Sequence, residues 1–146
     1  MNDAPNDSST KATTPAIRRY QVLESFKDYE VTLEVDHSIL TQERATQINS
    51  FWTSDDDRLD EENGDVVRTV IRLAGLTLIK LMLELGDVDF SDKEVARGNI
   101  WSTELRRLEG WGGELEGSPY GWCGIRAVSA SVSSCSFYEL EVREVS

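Results

Sequence analysis

Six carboxylates fall within eight residues: Asp55, Asp56, Asp57, Asp60, Glu61 and Glu62. Carboxylates at that density can hold a divalent cation, share a proton in acid–base work, or offer charge to a basic partner. A calcium loop of the EF-hand kind needs oxygen ligands at its first, third and fifth positions and glycine at its sixth. With Gly64 in the sixth position Leu59 stands first, and with Asp55 first Leu59 stands fifth, so that pattern fails. Six like charges repel one another in any regular element, which makes the run an expected exposed loop or frayed helix end.

The other candidates for chemistry are sparser. Acid–base pairs work in clefts that shift one pKa. Glu30, Glu34, Glu139 and Glu141 instead alternate with apolar residues, which assigns them to the solvated side of a sheet. His37 is the only histidine, and no serine lies in a Gly-x-Ser-x-Gly elbow. Neither Cys123 nor Cys135 has a base beside it in sequence. Two cysteines and one histidine are too few for a Cys/His zinc site. If the C-terminal runs form a hairpin turning near Ser133 and Ser134, the two cysteines lie much further apart than the roughly 7 Å between Cα atoms that a disulfide tolerates. Both are therefore expected to be free.

Glu109 to Gly121 is glycine-rich, without the strand-to-helix context of a phosphate-cradling loop. Trp101, Trp111, Tyr120 and Trp122 gather around it. Such aromatic side chains anchor interfaces or plug the open end of a small core. Trp111 and Tyr120 are the candidate anchors.

The elements that position these residues follow from periodicity. Tyr20, Val22 and Phe26 suggest a first strand. Tyr29, Val31, Leu33 and Val35 alternate with Glu30, Thr32, Glu34 and Asp36, the clearest strand signal in the chain. Thr41 is a plausible N-cap for a helix carrying Ala45, Ile48 and Trp52, with Leu40 stapled onto Ala45. Asp65 can cap a second helix, Val66 to Leu85, that is apolar over most of its circumference and ends at Gly86. Such a helix must be covered on more than one side, by the sheet and by the first helix or a partner chain. Ser91 and Glu94 have capping-box spacing, and Trp101 to Leu108 is ambiguous. Trp122 to Val132 and Cys135 to Val145 read as two closing strands. The expected fold is α+β: an antiparallel sheet of about four strands with two main helices packed on one face, in the order β-β-α-α-β-β.

The 146 residues fit one domain, placed at 17–146 behind a polar segment, 1–16, expected to be a disordered tail without a signal-peptide pattern. The apolar stretch from Val66 to Leu85 is interrupted by Arg68, Arg72, Lys80 and Glu84, so no membrane span is expected and the cytoplasm is the default location. With 27 acidic and 15 basic residues the formal charge is −12. That argues against direct nucleic-acid binding, which draws its affinity from Lys and Arg displacing counterions, and against anionic membranes. It leaves solubility, or attraction to a basic protein.

Several runs carry a family likeness in combination. They are Tyr29 to Val35, Leu40 to Trp52, Asp65 to Gly75, Glu109-Gly110-Trp111 and Phe137 to Val145. Over roughly Tyr20 to Val145 the chain resembles an uncharacterised family of small proteins carried by phages, prophages and plasmids of bacteria. After Trp111 this chain is longer and richer in glycine. The resemblance implies an α+β domain and a mobile-element setting, in which small acidic proteins often bind and block host factors, restriction or CRISPR machinery included. It implies no catalytic residues.

The expected function is that of a non-enzymatic binding protein, without cofactor, occupying a basic surface of a host defence or nucleic-acid-binding protein. Asp55, Asp56, Asp57, Asp60, Glu61 and Glu62 would make the contact, with carboxylates spaced as in a DNA mimic and Trp111 and Tyr120 as anchors. One alternative is a small metal-dependent hydrolase using the acidic run. Another is a self-associating protein whose second helix is buried in a homodimer.

Overall fold

The computed structural model describes residues 16–24 and 26–145. Apart from Ala16, the expected N-terminal tail lies outside them. Strands β1 (Ile17–Glu24) and β2 (Tyr29–Asp36) form a hairpin. Helices α1 (Gln42–Asn49), α2 (Asp55–Glu61) and α3 (Val66–Leu85) follow. The short β3 (Val88–Phe90), α4 (Val95–Arg106) and β4 (Ile125–Val132) complete the fold. The sheet is antiparallel throughout, in the order β1-β2-β4-β3.

The period-two pattern of β2 sorts its side chains as alternation requires. Val31, Leu33 and Val35 are fully buried. Across the ladder they face Val22, Tyr20 and Arg18 on β1, and Ala130, Ala127 and Ile125 on β4. An irregularity between Thr32 and Leu33 leaves Val128 as an extra residue on β4. Beside it the Ala127 amide donates to Ser102 Oγ at 2.8 Å, and Ser102 Oγ donates in turn to the Gly98 carbonyl. This fastens α4 to the apolar face of the sheet.

Helix α3 spans that same face and packs against α1. Both helices come close enough to the sheet to require glycine. A Cβ at Gly75 on α3 would lie 2.5 Å from Val22 Cγ1, and one at Gly98 on α4 would lie 2.7 Å from the Ala127 carbonyl oxygen. The caps form where expected: Thr41 Oγ1 accepts from the Arg44 amide and an Asp65 carboxylate oxygen from the Arg68 amide. Leu40 and Ala45 are both buried, and Gly86 ends α3.

The α+β architecture and its four-stranded antiparallel sheet are as expected, with differences after α3. Of the ambiguous Trp101–Leu108 region, the part to Arg106 belongs to α4, which begins at Val95. Only half of the Ser91 capping box forms: a Glu94 carboxylate oxygen accepts from the Ser91 amide, while Ser91 Oγ accepts from Lys93. The second expected hairpin is absent. β4 begins at Ile125, and the fourth strand is β3, not Cys135–Val145. The reason is topological. β4 is an interior strand flanked by β2 and β3, so it keeps no free side on which a following strand could form a hairpin with it. After Val132 the chain instead forms a 3₁₀ turn at Phe137–Glu139, closed by a capping box between Ser136 and Glu139, and runs on exposed.

Candidate functional site

The acidic run is not a loop. It forms the seven-residue helix α2, and like-charge repulsion is offset at both ends and in the middle. Asp55, Asp56 and Asp57 occupy the first turn, where the unpaired amides favour negative charge. Arg58 lies across the end of α1, and Leu59 packs against the core. Glu62, just beyond the helix, accepts from Arg68 Nε and Arg72 Nη1, each at 2.9 Å. Glu61 lies 3.8 Å from Arg72. Asp56, Asp57, Asp60 and Glu61 are exposed and Asp55 half-buried. Among the described residues, the four aspartates of α2 have no ion pair.

The two aromatic candidates lie elsewhere. Trp111 is fully buried against Trp52, with ring centroids 5.7 Å apart. Tyr120 is 7% exposed, and its hydroxyl donates to Glu34 Oε1 at 2.7 Å. Neither presents a surface to solution, so the structure does not bring them together with α2 as one contact face. The glycine-rich loop is instead gathered inward by two arginines. Arg106, itself buried, donates to the carbonyls of Pro119 and Ile125 and to Glu114 Oε1. Arg44 donates to the Trp122 carbonyl, and its guanidinium sits 4.6 Å from the Trp122 ring centroid.

Glu34 corrects a second expectation. It lies on the polar face of the sheet yet is only 8% exposed. Burial pushes its carboxyl upward, but hydrogen bonds from Tyr120, Arg19 and Arg126 outweigh that and hold it below the ordinary carboxylate value. Burial and the neighbouring carboxylate push the Tyr120 hydroxyl up. Every oxygen of Glu34 is engaged, so the cluster fastens the glycine-rich loop to the sheet. The Glu139 and Glu141 expected on that face lie on the exposed segment after β4.

His37 Nε2 is 2.7 Å from the Tyr20 hydroxyl. Burial and then Arg18 lower its pKa, against the opposing pull of Asp36 and Asp65. Both cysteines are free, as expected, although the hairpin argument behind that expectation falls with the hairpin. Burial pushes the Cys123 thiol up to about 11. Among the described residues no three of His, Cys, Asp or Glu are grouped to hold a metal ion, and no helix is long and apolar enough to cross a membrane.

Sequence reasoning missed the grooves beside α3. One of about 750 Å³ lies between β1 and α3, floored by residues such as Val22, Leu73, Leu76 and Leu83 and rimmed by Lys27, Arg72 and Lys80. A second, of about 590 Å³, continues across α3 toward Trp52 and Leu108 and shares Leu73, Leu76 and Lys80. The near-continuous apolarity of α3 is their sequence signal.

No curated protein and no solved structure matches the chain. The model of a family described as a protein of unknown function (DUF2528) matches residues 30–142, from β2 through the 3₁₀ turn to Val142, and the chain belongs to that family.

Proposed function

We propose that this is a non-enzymatic binding protein whose α2 surface docks on a basic surface of another protein. The observation that supports it is the contrast within the acidic run. Glu61 and Glu62 are neutralised by α3 arginines, whereas Asp56, Asp57 and Asp60 project from a firmly held helix with no counter-charge among the described residues. Aspartate side chains are short and their helix is held, so little freedom is lost on meeting a cationic partner, and the net charge of −12 steers the encounter.

The likeness of Tyr29–Val35 and Asp65–Gly75 to proteins of phages and plasmids leads us to a narrower proposal. The protein acts for a mobile element in the host cytoplasm. Its partner is a host defence or nucleic-acid-binding protein whose basic groove α2 occupies in place of nucleic acid. Trp111 and Tyr120 serve this indirectly, by holding the domain together.

Affinity capture from a bacterial lysate tests the proposal, with the native chain and an Asp56→Asn/Asp57→Asn/Asp60→Asn chain as parallel baits at low and high salt. A partner retained by the native bait at low salt, and lost on neutralisation or at high salt, is the expected result. A partner retained equally under all four conditions rules out charge on α2 as its means of recognition.

A further inference from the structure

We infer that the exposed C-terminal segment of one chain adds to the free edge of β1 in a second copy and fills the groove between β1 and α3, giving a tail-exchanged homodimer.

Phe137, Tyr138, Leu140, Val142 and Val145 are 82%, 92%, 64%, 98% and 87% exposed. Five large apolar side chains left in water in one short segment are far beyond the scattered exposure usual for a monomer surface. From Tyr138 to Arg143 the spacing is that of a strand, with Tyr138, Leu140 and Val142 on one side and Glu139, Glu141 and Arg143 on the other. Backbone at Leu140 is already extended, with φ −102° and ψ 151°.

The receiving surface has the complementary shape and charge. β1 is an edge strand of eight residues whose outer side has no partner among the described residues. A strand added there directs alternate side chains toward α3, where Leu73, Leu76 and Leu83 line the open groove. Its remaining side chains, Glu139 and Glu141 among them, fall beside the outer row of Arg19, Gln21 and Leu23 on the solvated side of the sheet. The lining holds Lys27, Arg58, Arg72 and Lys80 against Glu24 and Glu61, and the two lysines are in no ion pair among the described residues, while the tail carries three carboxylates, Glu139, Glu141 and Glu144, against Arg143.

The tail's own groove is badly placed to receive it. The Ser134 amide and hydroxyl both donate to Asp87 Oδ1, which pins the chain between β4 and β3. A strand beyond β1 lies three strand spacings from β4, about 14 Å. Four extended residues after Ser134, as far as Tyr138, are consumed in crossing that distance, and the 3₁₀ turn at Phe137–Glu139 shortens the reach further, so Tyr138 and Leu140 cannot both seat in the chain's own groove. A second copy meets no such limit, and reciprocal exchange closes as a two-fold dimer.

Sedimentation equilibrium on the full chain tests this, with a Leu140→Asp/Val142→Asp chain and a Leu76→Glu chain. All three positions are at least 46% exposed, so folding of each variant is expected to match the native chain by circular dichroism. The native chain should form a dimer, and each variant should weaken it by about a hundredfold or more. Mixing the two variants should restore a dimer, because an intact tail then meets an intact groove once; simple misfolding cannot produce that recovery. A native chain that stays monomeric at every concentration, a dimer that survives both sets of substitutions, or a mixture that stays monomeric would each overturn the inference.

Discussion

Arg58 closes the end of α1 through Asn49: its Nε donates to Asn49 Oδ1 at 2.9 Å and its Nη2 to the Asn49 carbonyl at 2.8 Å. Asn49 is 4% exposed and donates through Nδ2 to the Asp55 carbonyl. Arg58 also donates to the carbonyls of Trp52 and Thr53. A cation at a helix C-terminus meets carbonyls that lack intrahelical partners, and here it also ties the acidic helix to the core. The one cation inside an acidic run is thus what aims the acids outward.

Replacing Arg58 by alanine leaves those carbonyls short of donors and is expected to destabilise the fold by about 2 kcal/mol. Urea denaturation measures it, and Asn49→Ala should cost a similar amount. Because the two residues share one network, the double variant should lose clearly less than the two single losses added together.

Glu34→Gln leaves Arg19 and Arg126 facing a neutral amide and is expected to cost about 2–3 kcal/mol at neutral pH. The folded-state pKa of Glu34 lies below its ordinary value of 4.5. Its contribution is therefore fully present above pH 4.5 and is lost as pH falls through the folded value. Denaturation from pH 7 to pH 3 should show the gap between native and variant chains closing on the acid side. A gap that stays constant would contradict the ion-paired assignment.

Gly98→Ala tests the seat of α4 on the sheet. Alanine gains about 1 kcal/mol in helix propensity, yet its Cβ would meet the Ala127 carbonyl at 2.7 Å. A backbone oxygen cannot turn aside as a side chain can, so a net loss of about 1–3 kcal/mol is expected. Asn99→Ala, exposed on the same helix, should instead be neutral or stabilising by a few tenths of a kcal/mol. Thermal melts of both variants read the difference.

Thiol labelling of the native chain should modify Cys135 and spare Cys123. The first is exposed, and the second is buried with its thiol pushed up to about 11. Mass spectrometry should find one adduct on the folded protein and two after denaturation.

What the sequence revealed follows from where large apolar side chains do the packing. β2 and α3 were legible because Val31, Leu33, Val35 and the leucines of α3 write their periods directly. α4 was not, because the positions it buries are Gly98, Ser102, Leu105 and Arg106, a face set by close approach and hydrogen bonding more than by apolar area. Glu34 and Trp111 show the same limit from two sides. Alternation places a carboxylate on the polar face of a sheet but is silent about a loop folding over it. Aromatic clustering marks Trp111 without saying whether it faces a partner or the core. The acids of α2 were visible as a group, but Arg58 as their anchor was not, since its partners are the carbonyls of a neighbouring helix end.

The central claim is that the unpaired aspartates of α2 recognise a basic protein, and salt-resolved capture with the native and Asp56→Asn/Asp57→Asn/Asp60→Asn baits tests it most directly. A basic protein held by the native chain at low salt, absent from the neutralised bait, and released as salt is raised is the expected result. A partner bound equally by both baits, or no partner at low salt, would contradict it.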